Sequence, residues 1–115
     1  MASNATIAAS ASLSDAVDTG NTRSTTSIIA IIMPASWTAA DLTFQACATE
    51  GGTFQDVYDD DDAEVTVQAA ASRYIVLDDA MRSRLSGIRF IKVRSGTTGT
   101  PVTQAAERVV VLVTK

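Results

Sequence analysis

Apolar residues fall along this chain in short runs with a period near two, the signature of β-strands rather than helices. Ile28-Ile29-Ala30-Ile31-Ile32-Met33 is a β-branched run closed by Pro34. It does not alternate and is too short for a helix, so it predicts a strand buried on both faces. Leu42, Phe44 and Ala46 alternate with Thr43, Gln45 and Cys47, which predicts a strand with one wet face. Val65 and Val67 flank Thr66 in the same way, and residues 74–77 form another short candidate. In Ile88-Arg89-Phe90-Ile91-Lys92-Val93-Arg94 the apolar phase slips between Phe90 and Ile91, which predicts a bulge or burial from both sides. Residues 109–113 are an apolar terminal strand that belongs in the middle of a sheet, because an exposed edge of that kind aggregates.

Turn-forming segments separate these runs. Asp18-Thr19-Gly20-Asn21 breaks the chain before a strand expected near Ser24. Glu50-Gly51-Gly52-Thr53 reads as a hairpin turn, since glycine takes positive φ without steric cost. Ser95-Gly96-Thr97-Thr98-Gly99-Thr100-Pro101 reads as a flexible connection into the last strand. Two stretches have helical potential: residues 36–40, for one turn, and residues 78–85. In the second, Asp78 and Asp79 sit at the positive end of the helix dipole, Arg82 and Arg84 at the negative end, and Gly87 stops it. The pattern predicts an all-β fold, an antiparallel β-sandwich of seven to eight strands with at most one short helix. The expected division is an Ala/Ser/Thr-rich arm or first strand over 1–22 (residues 6–11 being a strand candidate) and the sandwich over 23–115.

Composition narrows the function. Of 115 residues, 46% are hydrophobic and only 19% charged, and Ala, Ser and Thr supply 45. Ordinary soluble domains carry more charge, about a quarter of residues. Small side chains and few charges suit surfaces that neighbouring copies cover. The net charge of -4 and the scattered basic residues argue against nucleic-acid binding, which needs clustered Lys and Arg. The single cysteine, Cys47, forms no internal disulfide and reads as a small apolar strand residue. Residues 1–14 have no basic and apolar leader pattern, and the run 28–33 is far too short to cross a bilayer. A chain made in a cytoplasm and soluble before assembly, without membrane contact, is expected.

Candidate chemistry is sparse. The absence of His removes Ser–His–Asp and Cys–His nucleophilic sites and imidazole acid–base catalysis. Gly51-Gly52 lacks the following Lys of a phosphate loop. Asp56, Asp59, Asp60, Asp61, Asp62 and Glu64 form a carboxylate cluster. Calcium binding competes there with a solvated loop tip, and the tip is favoured because EF-hand spacing and its internal glycine are missing. Paired-carboxylate catalysis needs a rigid cleft that a loop tip does not supply. Trp37, with Tyr58 and Tyr74, is a candidate sugar-stacking platform, set against the plainer role of a core plug. Arg89, Lys92 and Arg94 lie on one expected strand, ready to pair with the acidic loop of the same chain or of a neighbour. No catalytic, cofactor-binding or metal-ligating residue is expected, and no enzyme activity.

Met33-Pro34-Ala35-Ser36-Trp37-Thr38-Ala39-Ala40-Asp41-Leu42-Thr43-Phe44-Gln45 is followed by Glu50-Gly51-Gly52-Thr53-Phe54-Gln55-Asp56-Val57-Tyr58-Asp59. Then come residues 88–97 and Pro101-Val102-Thr103-Gln104-Ala105-Ala106. In this order they resemble small structural proteins encoded among the head and neck genes of tailed phages and prophages, over residues 27–115. Four consecutive Asp depart from the plainer hairpin of that pattern. The resemblance implies a jelly-roll-like sandwich in the virion, often oligomeric, with the major capsid protein or other virion proteins as partners. It implies a capsid decoration or cement protein, or the base of a head fibre. A carbohydrate-binding module of a fibre or baseplate, and a neck or tail-completion ring protein, are the alternatives. The expected clamp is the N-terminal arm, whose removal over residues 1–20 should leave the sandwich folded.

Overall fold

A computed structural model describes residues 2–19 and 27–115; the strand expected near Ser24 lies outside the described residues. Eight strands and one helix follow in the order β1 (Ala2–Ile7), β2 (Val17–Asp18), β3 (Ile28–Ile32), β4 (Leu42–Cys47), β5 (Gln55–Asp56), β6 (Tyr74–Val76), α1 (Asp79–Arg84), β7 (Phe90–Ser95) and β8 (Arg108–Thr114). They form two four-stranded sheets, β1-β8-β3-β6 and β2-β7-β4-β5. β1 pairs with β8, β2 with β7, β3 with β6 and β4 with β5, all antiparallel. This nesting is what results when one long hairpin, its tip between β4 and β5, is wrapped around a core, and it defines a jelly roll. The fold is therefore the antiparallel sandwich that the apolar period implies.

The core is the layer between the sheets. From the first sheet Ala5, Ile7, Ile28, Ile31, Val110 and Leu112 are buried, and from the second Val17, Leu42, Phe44, Ile91 and Val93. Phe44 lies opposite Val93 in the β4–β7 ladder, and both are fully buried. The non-alternating run at 28–32 has a local cause. The β3–β8 register shifts between Ile28 and Ala30, so Ile28 and Ile31 both reach the core although they are an odd number of positions apart. The bulge expected in the 88–94 run is not there. The β4–β7 register is continuous from Leu42↔Ser95 to Cys47↔Phe90, with Ile91 and Val93 inward and Phe90, Lys92 and Arg94 outward. Burial from both sides explains that phase slip. β8 lies between β1 and β3, as its apolar composition requires.

α1 forms where its signals lie: the Asp78 carboxylate accepts from the Met81 amide at 2.8 Å, and Arg82 and Arg84 occupy the last turn. Residues 36–40 form no helix. The Trp37 indole donates to the Ala40 carbonyl at 3.0 Å, and the buried Gln104 amide exchanges hydrogen bonds with the Thr38 backbone at 2.9 and 3.0 Å. The connection over residues 95–101, expected as a flexible link, is folded as a tight hydrogen-bonded turn. Thr97 and Thr100 exchange backbone bonds at 3.2 Å, Gly96 bridges Pro101, and Val102 donates to Ser95 at 2.9 Å.

A separable N-terminal clamp does not fit this fold. β1 pairs with β8 along its whole length, and Ala5 and Ile7 are fully buried. Removing residues 1–20 takes away β1 and β2 together and strips one flank from each sheet, so unfolding is the expected outcome.

Candidate interaction surfaces

The outer face of the second sheet holds the protein's one converging set of charges among the described residues. Thr43, Gln45, Lys92 and Arg94 lie on that face, and the excursion between β4 and β6 folds over it. Arg94 is almost completely buried. Its guanidinium donates to Asp56 at 2.5 Å, to Glu64 at 3.3 Å, to the Thr98 hydroxyl at 2.9 Å and to the Thr43 hydroxyl at 3.4 Å. Glu64 accepts from the Thr98 amide and hydroxyl, and Gln45 donates to Asp56 at 3.2 Å. The cluster ties β7, β5, the Glu64 segment and the 97–100 turn together. One guanidinium is shared by two carboxylates of the same chain, so the cluster is a structural cross-link.

The expectation that a basic residue of this strand pairs with the acidic segment holds for Arg94, but as a buried network rather than an exposed pair. Arg89 instead reaches Asp18 at 3.5 Å and stacks on Phe90, while Lys92 stacks on Phe54 with its ammonium 4.5 Å from the ring centre.

Arg94, by hydrogen bonding, holds the Asp56 carboxyl below the usual carboxylate range, and Gln45 adds to this. A depressed carboxylate contributes stability that is fully present above the unfolded value of about 3.9 and is lost as pH falls through the folded value. The wild-type protein is therefore expected to lose stability below about pH 4. Asp56→Asn should be less stable at pH 7 and flatter across that acid window, as urea midpoints at pH 7 and pH 3 will read. Equal pH slopes in the two proteins would contradict the assignment.

Asp59, Asp60, Asp61 and Asp62 form a hairpin tip whose strands meet at the Tyr58–Glu64 bridge. Asp59 turns its carboxylate inward, accepting from the amides of Asp61 at 2.9 Å and Ala63 at 3.0 Å, and those bonds lower its pKa, Ala63 the more. No three acidic side chains converge on a point that could hold a cation among the described residues. The structure does not bring the three aromatic candidates together. Trp37 packs half-buried against the core, Tyr58 lies at the hinge of the acidic hairpin, and Tyr74 stands on the other sheet. Cys47 is buried, with its thiol on the Thr49 carbonyl at 3.0 Å.

The outer face of the first sheet is of the opposite kind. Register places Ile32, Val111 and Tyr74 in one cross-strand row and Val113 and Val76 in the next, with Val109 beyond. Tyr74 and Val76 are 62% and 76% exposed, and Ile32, Val109, Val111 and Val113 are half-buried. A monomeric sandwich normally alternates polar side chains onto its wet face. This face breaks that rule over three adjacent strands, and a contiguous apolar patch marks an interaction site. Sequence reading missed it because the valines of β8 look like core from both sides until the register is known. No family model, curated protein or solved structure matches the chain.

Proposed function

We propose that this chain is a non-enzymatic virion structural protein of the tailed-phage type, a capsid decoration or cement protein or the base of a head fibre. It works by assembling with the major capsid protein or other virion proteins. The observation that carries the reading is the apolar outer face of the β1-β8-β3-β6 sheet, which offers adhesion and no chemistry. Two further features agree with it. The eight-stranded jelly roll is an architecture of viral capsid domains, and the one convergent charged cluster is spent inside the chain. Apolar contacts of this kind, repeated over a symmetric shell, reinforce one another through effective concentration.

The test is add-back to particles assembled without this chain. Wild-type protein is expected to co-sediment with them and to appear in images as copies spread over the shell. A single ring at one vertex would favour a neck or completion protein instead. Val111→Lys with Val113→Lys, on the outer face of the central strand, is expected to reduce binding at least tenfold with an unchanged circular dichroism spectrum. Undiminished binding by that variant would exclude the face, and failure of the wild-type protein to bind would exclude the reading.

A further inference from the structure

We infer that β6 pairs antiparallel with β6 of a second copy about a twofold axis at Ile75, joining two first sheets into one continuous eight-stranded sheet. The inference rests on the assembly reading and names one of its partners, another copy of this chain.

β6 is the edge of its sheet. Met33 donates to the Arg73 carbonyl at 2.7 Å and Leu77 donates to the Ile29 carbonyl at 3.0 Å, so residues 73, 75 and 77 turn their backbone groups toward β3. By parity the amides and carbonyls of Tyr74 and Val76 face away from the sheet. Natural edge strands are protected by shortness, charge, Pro, a bulge or a covering segment; β6 is short, at three residues, but Tyr74-Ile75-Val76 contains neither a charged residue nor Pro. The opposite edge differs. There Thr6 is occupied, its carbonyl accepting from the Asp15 amide at 3.1 Å and its amide donating to the Asp15 carboxylate at 3.0 Å, and the outward side chains of β1 are Ala2, Asn4 and Thr6.

Three features of β6 complement a second β6. With Ile75 opposite Ile75, the free backbone groups of Tyr74 face those of Val76 on the other copy, and all of them pair. On the outer face each Tyr74 then lies beside a Val76, an aromatic against a β-branched residue, the favourable cross-strand combination. On the inner side the two Ile75 meet beside a shallow groove lined by Val67, Leu77 and Met81. The charges also fit. Arg73 is exposed at the start of the strand and makes no ion pair among the described residues, whereas Asp78 and Asp79 stand exposed just past its end. An antiparallel pair places each Arg73 beside the other copy's acidic end, whereas a parallel pair would set like charges together. The joined sheet doubles the apolar outer face and leaves it open to a virion partner.

The test uses the purified full chain, in sedimentation equilibrium and in amide hydrogen exchange. The expected species has twice the 12.0 kDa chain mass and dissociates on dilution. Amides of Tyr74 and Val76 are expected to exchange slowly in the dimer and fast on dilution, while the Ile75 amide, bonded within the chain, is protected throughout. Val76→Pro removes the outward amide at an edge position that tolerates proline, and Val76→Lys is the second variant should proline disturb β6. Either is expected to give a monomer. Arg73→Glu and Asp79→Arg are each expected to weaken the dimer at least about tenfold, two symmetry-related pairs of opposed charges made repulsive, and the double variant to restore it. A monomer at every concentration, an oligomer whose mass both Val76 variants leave unchanged, or a double variant no tighter than its parents would overturn the inference. Mass and exchange are read without particles, so this pairing and the binding to a shell fail separately.

Discussion

Gly96→Ala is expected to destabilise the protein by about 2–4 kcal/mol, while Gly99→Ala in the same turn leaves it as stable or raises stability by up to about 1 kcal/mol. Gly96 has φ +90°, a conformation L side chains rarely adopt. A Cβ there would lie 2.5 Å from the Thr100 carbonyl oxygen, 2.7 Å from the Val102 nitrogen and 2.9 Å from the Pro101 Cα, all backbone atoms. The backbone has little freedom to yield. The Gly96 amide donates to Asp41 at 2.7 Å, its carbonyl accepts from the buried Thr43 hydroxyl at 2.7 Å, and Val102 is bonded to Ser95. Gly99 has open space around its missing side chain and an ordinary φ, so alanine there acts mainly by restricting the unfolded chain. Urea midpoints at unchanged m values give both numbers. Equal effects at the two positions would mean that the turn has the looseness its Gly/Thr composition implies.

That composition shows what local pattern conveys and what it does not. The β4 alternation, the apolar β8 and the Asp78-capped helix depend on neighbours one to four residues away, and each forms where its residues place it. The tight turn after Ser95 depends on Asp41 and Thr43, far back in the chain, so Gly and Thr alone read as loose linker. Thr43, Gln45 and Cys47 alternate as a wet strand face should, yet both Thr43, against Arg94 and Gly96, and Cys47, against Thr49 and Gly52, are buried. Periodicity distinguishes the two faces of a strand but not what is laid over the second one. The same blindness hid Gln104, a polar residue in an irregular segment, which is 1% exposed because its amide clamps Thr38 across the chain. Sheet order was equally unreadable. Only the pairing β3–β8 and β3–β6 sets Ile32, Tyr74 and the β8 valines side by side and turns three unremarkable strands into one apolar surface.

Arg94→Met should cost about 3–4 kcal/mol, the lower part of the range for breaking a buried ion pair, because one partner keeps some contact with water. The Arg94 side chain is 9% exposed, against 13% for Glu64 and 28% for Asp56. Losing the guanidinium leaves two nearby carboxylates without their shared cation and removes the donor to Thr98. Arg94→Lys is expected to recover only part of the loss, since an ammonium cannot reach Asp56 and Glu64 with the spread donors of a guanidinium. The decisive variant combines Arg94→Met, Asp56→Val and Glu64→Leu. If the penalty comes from orphaned charge rather than from lost attraction, the triple variant should return to within about 1 kcal/mol of wild type, as apolar replacement of buried ion clusters generally does. The cluster joins residues 38 and 30 apart in sequence. Its loss in Arg94→Met should therefore also open the covering excursion to protease near the acidic hairpin, while the triple variant, held by apolar contact, stays resistant. A triple variant as unstable as Arg94→Met would show instead that the charges themselves hold the excursion against the sheet.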